Sequence, residues 1–312
     1  MASFTDPVPG GLAGRIVKLD VESFEVQSDT IDGGKLAVSV SFPPAYDPQG
    51  PALPVVYALD AQWHAGLYEK IHAGLNGPEG MHEVSPFVQV NIGYIDDGVD
   101  PLVTRNRDLL PPGEPYPEYM HDWLTEMFAS DGAEENTAMV DQYVRWLNNP
   151  HADHFLAFLE NELHPHIKER YNVNDDAGLF GFSYGALFAM YALTENSTLF
   201  TKFGAGSPGI LIPNSTIFDR YRTFAADPAN AGRERHLHIT IGTGEIFSPS
   251  HLFRQLAIQT FQFIDVVADH PVPGVTLSAK IIEKEDHETG CIDAYRDFAR
   301  VCYPSGVRNI EL

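Results

Sequence analysis

The chain has 312 residues, enough for one large domain or two modest ones, and 44% apolar against 20% charged residues permits a sizeable core and excludes wholesale disorder. With 20 basic against 43 acidic residues the formal charge is −23, so the mean field repels nucleic-acid phosphates and anionic lipid, and neither nucleic acid nor membrane is an expected partner. Both a monomer and a homo-oligomer are compatible with these numbers.

Met1 to Leu19 lack the basic start, apolar stretch and small-residue cleavage site of a signal peptide, and a cytoplasmic location is expected. Two strands, Ser23 to Gln27 and Leu36 to Phe42, joined through the turn signal Asp32-Gly33-Gly34, predict an antiparallel edge. After the Pro/Gly-rich connector Pro43 to Pro54, short apolar runs at Val55 to Leu59, Phe87 to Ile92, Gly178 to Phe182, Lys202 to Ala205, Leu237 to Ile241 and Val275 to Ile282 predict buried parallel strands. Helical patterns cover Phe155 to Tyr171, Ser183 to Thr194, Leu252 to Ala268 and Cys291 to Tyr303. The alternation predicts a single α/β domain, with a mostly parallel central sheet and helices on both faces. Pro111 to Pro150 breaks the rhythm with acids and aromatics (Tyr116, Tyr119, Trp123, Phe128, Tyr143, Trp146) and is expected to be a helical insertion, a lid or cap over the sheet. The plainer alternative is surface helix packed on its own aromatics. The longest largely apolar run, Gly178 to Leu193, falls short of the roughly 20 residues that span a bilayer. Cys291 and Cys302 share one helical pattern, which sets them roughly 16 Å apart at about 1.5 Å per residue, so free thiols are expected.

Gly181-Phe182-Ser183-Tyr184-Gly185 lies between a strand and a strong helix former. Glycines two residues either side of the serine allow a turn tight enough to hold a nucleophile proud of the strand end; the bland alternative is a capping serine in a glycine-rich turn. A serine hydroxyl needs a base to take its proton and an acid to fix the base, in the chain order serine, acid, histidine on this fold. Glu245 follows the strand Leu237 to Ile241, and His287 follows Ile281-Ile282 just before the last helix. Asp265, Asp286 and Glu288 are alternative acids, the last two too close in sequence to His287 to reach its ring from an opposing loop. His251 and His270 border a helical pattern and suit its surface.

Other constellations fit their motifs less well. Gly204-Ala205-Gly206-Ser207-Pro208-Gly209 matches a dinucleotide fingerprint, but Pro208 and the breakers that follow do not open a helix. His164 with His166, His151 with His154, and His236 with His238 lack a companion carboxylate cluster. No metal or cofactor is expected. Arg105 and Arg107 would bind an anionic substrate or pair with some of the many acids.

These residues resemble the esterase D-like esterases of the α/β-hydrolase superfamily, which include siderophore esterases, feruloyl esterases and mycolyltransferases. The resemblance runs from about Leu36 to Tyr303 and is carried by Leu53-Pro54-Val55-Val56-Tyr57-Ala58-Leu59-Asp60, Asn91-Ile92-Gly93-Tyr94, Arg105-Asn106-Arg107-Asp108-Leu109-Leu110-Pro111, the serine turn, Gly206-Ser207-Pro208 and Asp286-His287. It implies an α/β-hydrolase fold with Ser183 as nucleophile, Glu245 as acid and His287 as base. It also implies an oxyanion hole from the backbone N–H of Tyr184 and of Gln62 or its neighbour Ala61. Relatives commonly carry glycine where this chain has Ala61 and Ala186, and alanine does not reach left-handed conformations cheaply. The expected activity is hydrolysis of a bulky, small-molecule ester of siderophore or feruloyl type, with Trp63 lining the pocket and Arg105 as a substrate contact. An acyltransferase using the same residues, or a binding protein without catalysis, are the alternatives.

Overall fold

The computed structural model describes residues 20–31, 35–76, 83–95, 100–128 and 133–305. Its eight strands are β1 (Asp20–Gln27), β2 (Lys35–Phe42), β3 (Leu53–Ala58), β4 (Val88–Tyr94), β5 (Val173–Phe182), β6 (Phe200–Gly206), β7 (Arg235–Gly242) and β8 (Val275–Ile282). They lie in the order β1-β2-β4-β3-β5-β6-β7-β8. β2 pairs antiparallel with both β1 and β4, and every other neighbouring pair is parallel. The expected antiparallel edge and parallel centre are both present, while the Asp32-Gly33-Gly34 turn lies outside the described residues.

Helices cover both faces because successive side chains of each strand point to opposite sides. Leu179 of β5, Phe203 of β6 and Ile239 of β7 enter the larger apolar cluster, beneath α7 (Tyr184–Thr194), α8 (Thr216–Ala226) and α10 (His251–Asp269). Phe180 and Phe182 point the other way, into a cluster with Tyr68 of α1 (Ala61–Leu75) and Tyr295 and Phe298 of α11 (Cys291–Cys302). Cys291 and Cys302 are buried free thiols at the ends of α11, and burial pushes both up to about 12. Among the described residues no helix is long and apolar enough to cross a membrane.

Besides the four-residue helix Thr243–Ile246, three helices escape the sequence patterns. In α2 (Pro101–Leu109) Val103 and Leu109 are buried together with Arg105, Asn106, Arg107 and Asp108, and this mostly polar buried set gives apolar periodicity little signal. α1 and α8 follow loops whose helix starts the apolar pattern does not mark. The helix expected over Phe155 to Tyr171 instead begins at Ala152 as α5 (Ala152–Phe158), widens into a π-helical turn at Leu159–Leu163, and continues as α6 (His164–Arg170). Pro165 has no N–H to return to the preceding turn, and the register loosens where that bond is missing.

The insertion is helical, comprising α3 (Met120–Met127) and α4 (Ala133–Leu147). Met120, Leu124, Val140, Tyr143 and Leu147 join the same cluster as the sheet, so its apolar side is part of the main core. At its start Glu114 accepts from Thr216 N (3.0 Å) and Thr216 Oγ1 (2.5 Å), which ties it to the first turn of α8.

His72 is fully buried in α1, with Nε2 donating to the Phe87 carbonyl (2.9 Å) and Nδ1 accepting from Ser41 Oγ (3.3 Å). Burial lowers its pKa to about 4, although the bond to Phe87 opposes the shift. Unfolding raises that value toward about 6.5, so between the two the unfolded chain binds the extra proton and stability falls as pH falls. Denaturant melts between pH 7 and pH 4 should show a loss of about 3 kcal/mol from this residue, absent in His72→Gln; equal slopes in the two proteins would assign the acid sensitivity elsewhere.

Candidate active site

β5 ends at Phe182 and α7 starts at Tyr184, leaving Ser183 alone at the bend with φ 58° and ψ −120°. Such a conformation costs about 1–3 kcal/mol and persists only where its surroundings enforce it. Here Ser183 N donates to Gly206 O (2.9 Å), while the Ser183 carbonyl accepts from Gly209 N (2.8 Å), Ala186 N (3.0 Å) and Leu187 N (3.1 Å). The turn also brings Gly185 against Gly181 so closely that a Cβ at 181 would sit 2.1 Å from the Gly185 carbonyl oxygen. Glycine at 181 is therefore required by space.

The parallel sheet carries the ends of β5, β7 and β8 to one edge, and three side chains meet there. His287 Nε2 lies 3.0 Å from Ser183 Oγ, and His287 Nδ1 lies 2.7 Å from Glu245 Oε1. With Nδ1–H donating to the carboxylate, Nε2 is left to accept the serine proton. Glu245 is fully buried in the short helix α9 (Thr243–Ile246), directly after β7. Its second oxygen, Oε2, accepts from Ser207 Oγ (2.7 Å) and Gly242 N (2.8 Å). The imidazole is held between the Phe182 and Phe253 rings, each 5.1 Å away, with Phe253 nearly parallel at 26°.

The alternative acids and histidines stand elsewhere. Asp286 Oδ1 accepts from Glu288 N (3.0 Å) and Thr289 N (3.1 Å), so it shapes the histidine loop. Glu288 is exposed, as is Asp265 on α10, whose first residue is His251 and whose C-cap is His270.

Backbone donors flank the serine from two helices. Tyr184 is the first residue of α7, and Ala61 and Gln62 open α1; N–H groups of a first turn have no acceptor within their own helix. The left-handed residue expected near Ala61 is Asp60, at φ 57°, and Ala61 and Ala186 are both helical. Glycine is unnecessary at either position. Gln62 Nε2 donates to Asp60 Oδ1 (3.2 Å), and Gln62 Oε1 accepts from Tyr94 N (3.2 Å). A Cβ at Gly93 would lie 2.6 Å from Gln62 N, so β4 leaves the space this turn occupies.

Arg105 departs from its expected role as a substrate contact. It is 5% exposed, and its fork is taken by Asp60, with Nε 2.7 Å from Oδ1 and Nη2 2.6 Å from Oδ2. Burial works against its charge, but the Asp60 carboxylate overrides this and holds the guanidinium above its ordinary value. The guanidinium carbon lies 5.5 Å from the ring centres of both Trp63 and Tyr184. Trp63 itself is 47% exposed beside the helix start.

Sequence reasoning missed Asp60 as the anchor of this turn, Ser207 as a support of Glu245, and Phe253 as a wall of the histidine. The first two have a legible signal, since Ser207 directly follows β6 and Asp60 lies two residues beyond β3, both strands ending on the same sheet edge. The Gly204 to Gly209 run opens no helix before α8, and its Ser207 serves Glu245 instead. His236 Nε2 and His238 Nδ1 both reach Ser278 Oγ (2.7 and 2.8 Å), and His238 Nε2 reaches Asp297 (3.0 Å), which accounts for the paired strand histidines. His151, Asp153 and His154 place their ligand atoms within 4.8 Å of one another on a half-exposed surface.

Among known proteins, the chain is 30% identical over 170 residues to the ferri-bacillibactin esterase BesA of Bacillus subtilis, covering 54% of this chain and 51% of that protein. It is 31% identical over 144 residues to the siderophore enterobactin esterase of Emericella nidulans, covering 46% of this chain and 42% of that protein. The chain thus spans about half the length of the curated relatives it matches. Among solved structures, the siderophore hydrolase EstA from Aspergillus nidulans matches with a TM-score of 0.73 at 20% identity, over 97% of this chain and 98% of that one. An IroE-like serine hydrolase from Shewanella oneidensis gives 0.71 at 19% identity, over 91% and 80%. At these identities the structures establish a shared α/β-hydrolase-type fold. The profile of the Putative esterase family matches residues 28–288, most of the chain, and the protein therefore belongs to that family.

Proposed function

We propose that the protein is a serine esterase acting on siderophore-type esters through an acyl-enzyme. The reading rests above all on the two hydrogen bonds of His287, one to Ser183 Oγ and one to Glu245 Oε1. In this mechanism His287 Nε2 takes the Ser183 proton as Oγ attacks the ester carbonyl. The resulting oxyanion is held by the N–H of Tyr184 and that of Gln62 or Ala61. Each such donor is worth about 3 kcal/mol in the transition state when lost singly. Collapse expels the alcohol with the proton from His287, and water repeats the sequence to free the acid. Every step is proton and acyl transfer within these side chains and backbone groups, and none calls on a cofactor.

The substrate class comes from the relatives, one named a siderophore enterobactin esterase and one a ferri-bacillibactin esterase, and from the exposed Trp63 and Phe247, which offer apolar surface to a bulky acyl group. In this reading the insertion lies beside the site, with the Tyr119 ring 6.0 Å from that of His251. An organophosphonate tests the reading directly. Mass spectrometry should find one adduct, on Ser183, with loss of ester hydrolysis in step; labelling elsewhere, or full activity after labelling of Ser183, would overturn it.

Ser207→Ala removes one of the two bonds to Glu245 Oε2 while leaving the His287 contact in place. A lost bond to a charged acceptor is worth about 1.5–3 kcal/mol, and part of this should appear as kcat reduced roughly tenfold with KM unchanged. Steady-state kinetics on a p-nitrophenyl ester would measure it, and an unchanged kcat would make Ser207 purely structural.

A further inference from the structure

We infer that His151, Asp153 and His154 form a binding site for a divalent transition-metal ion of the zinc class, seated where the insertion returns to the main fold. The site shares no residue with Ser183, Glu245 and His287, and it stands whether or not the esterase reading does. One carboxylate lies between the two histidines in the chain, and the structure brings all three side chains to one patch of surface.

Asn148-Asn149-Pro150-His151 joins α4 to α5, and its end is pinned by backbone bonds. His151 N donates to the Arg107 carbonyl (2.5 Å) and Ala152 N to that of Leu110 (3.2 Å), so the last turn of α2 fixes the backbone that carries the three side chains. Ala152 is fully buried, while the Asp153 and His154 side chains are each 50% exposed. His151 stands just ahead of α5, where a side-chain oxygen commonly bonds the free N–H groups of the helix, yet its imidazole makes no such bond. Its ring lies instead against that of His154, with centres 4.8 Å apart and planes at 14°. Two rings stacked this way repel when both are protonated, so the arrangement favours neutral imidazoles, the form that ligates metals. One ligand atom from each of the three residues falls within 4.8 Å of the other two. Bonds of about 2.1 Å to zinc set tetrahedral ligand atoms about 3.4 Å apart, a closure that rotation of half-exposed side chains supplies. Among the described residues neither the Asp153 carboxylate nor the His154 imidazole has a hydrogen-bond partner, and the two stand 3.9 Å apart, so an ion displaces nothing there. Asn149 Nδ2 donates to His151 Nε2 (2.9 Å) and orients that ring. Two imidazoles with one carboxylate suit Zn²⁺ and its transition-metal neighbours, whereas Mg²⁺ and Ca²⁺ take oxygen ligands. The overall charge of −23 concentrates cations near the surface. A bound ion joins His151, ahead of the helix, to Asp153 and His154 within it, and so fastens the point where the insertion rejoins the fold.

The experiment titrates the full chain, stripped of metal with a chelator, with Zn²⁺ in competition with a chromophoric chelator, and separately with Co²⁺ followed by its visible spectrum. Zinc should occupy a single saturable site that these residues provide, Co²⁺ should develop the absorption of an imidazole-ligated ion, and about a hundredfold excess of Mg²⁺ or Ca²⁺ should not compete. His154→Ala and Asp153→Asn, both at exposed positions, should each weaken zinc binding by about tenfold or more, and Asn149→Ala by roughly tenfold through the loosened His151 ring. The metal-free variants should melt with the wild type, which separates lost ligation from lost folding. Saturating Zn²⁺ should raise the melting temperature of the wild type and leave that of the double variant His151→Ala with His154→Ala where it was. Zinc affinity in the double variant within about twofold of wild type would place the ion on other histidines and overturn the site, as would the absence of saturable binding by the wild type. Ester hydrolysis by the metal-free chain bears on the esterase reading alone, so the two readings fail separately.

Discussion

Ser183→Ala is expected to lower kcat by on the order of 10⁴-fold or more while leaving the fold intact. The hydroxyl contributes one hydrogen bond, to His287 Nε2, whereas the bend itself is held by backbone bonds to Gly206, Gly209, Ala186 and Leu187 that alanine preserves. The left-handed bend remains just as strained with alanine, so the melting temperature should move little. Residues that act as one unit lose their effect together, so Ser183→Ala with His287→Ala should be no slower than either single variant. Hydrolysis of a p-nitrophenyl ester alongside calorimetry separates the outcomes. Retention of more than about a hundredth of kcat in a folded Ser183→Ala protein would remove the hydroxyl from the chemistry.

The residues to which this chemistry is assigned are legible in the sequence because the fold brings strand ends to one edge. Ser183 directly follows β5, Glu245 lies three residues beyond β7 and His287 five beyond β8, and apolar runs in the sequence mark those strands. Buried polar groups were much less legible. Arg105 in an acidic chain suggests an anionic ligand, since sequence says nothing of Asp60, 45 positions earlier, lying 2.6 Å from its guanidinium. For the same reason α2 is poorly marked by hydrophobic periodicity, because four of its six buried residues are charged or amide side chains whose burial depends on partners elsewhere in the chain. The insertion was recognisable as helical from its aromatics, but periodicity does not reveal which surface an apolar face meets. Val140, Tyr143 and Leu147 meet the main core.

Weakening the Asp60–Arg105 pair should damage catalysis without touching a reacting group. Asp60 holds its left-handed conformation where α1 begins, and its carboxylate is bound at once by Arg105 and by the Gln62 side chain. The same guanidinium packs 5.5 Å from the Tyr184 ring, so one buried charge pair spans both backbone segments that would face an oxyanion. Arg105→Leu leaves the Asp60 charge buried and alone, a change that costs about 3–5 kcal/mol, and its loss of activity would be confounded by unfolding. Arg105→Lys is the cleaner probe, because lysine keeps the charge but replaces a two-bond fork with a single point contact. It should lower kcat by about tenfold to a hundredfold with KM within about twofold, as expected when donors that act only in the transition state drift from their positions. Asp60→Asn with Arg105→Leu removes both charges and, with asparagine tolerant of left-handed backbone, should regain most of the melting temperature lost in Arg105→Leu. It should not regain kcat, since neither replacement ties the start of α1 to α2. If kcat returned together with stability, the pair would be holding up the fold alone, and the alignment of the two helix starts would depend on something other than this ion pair.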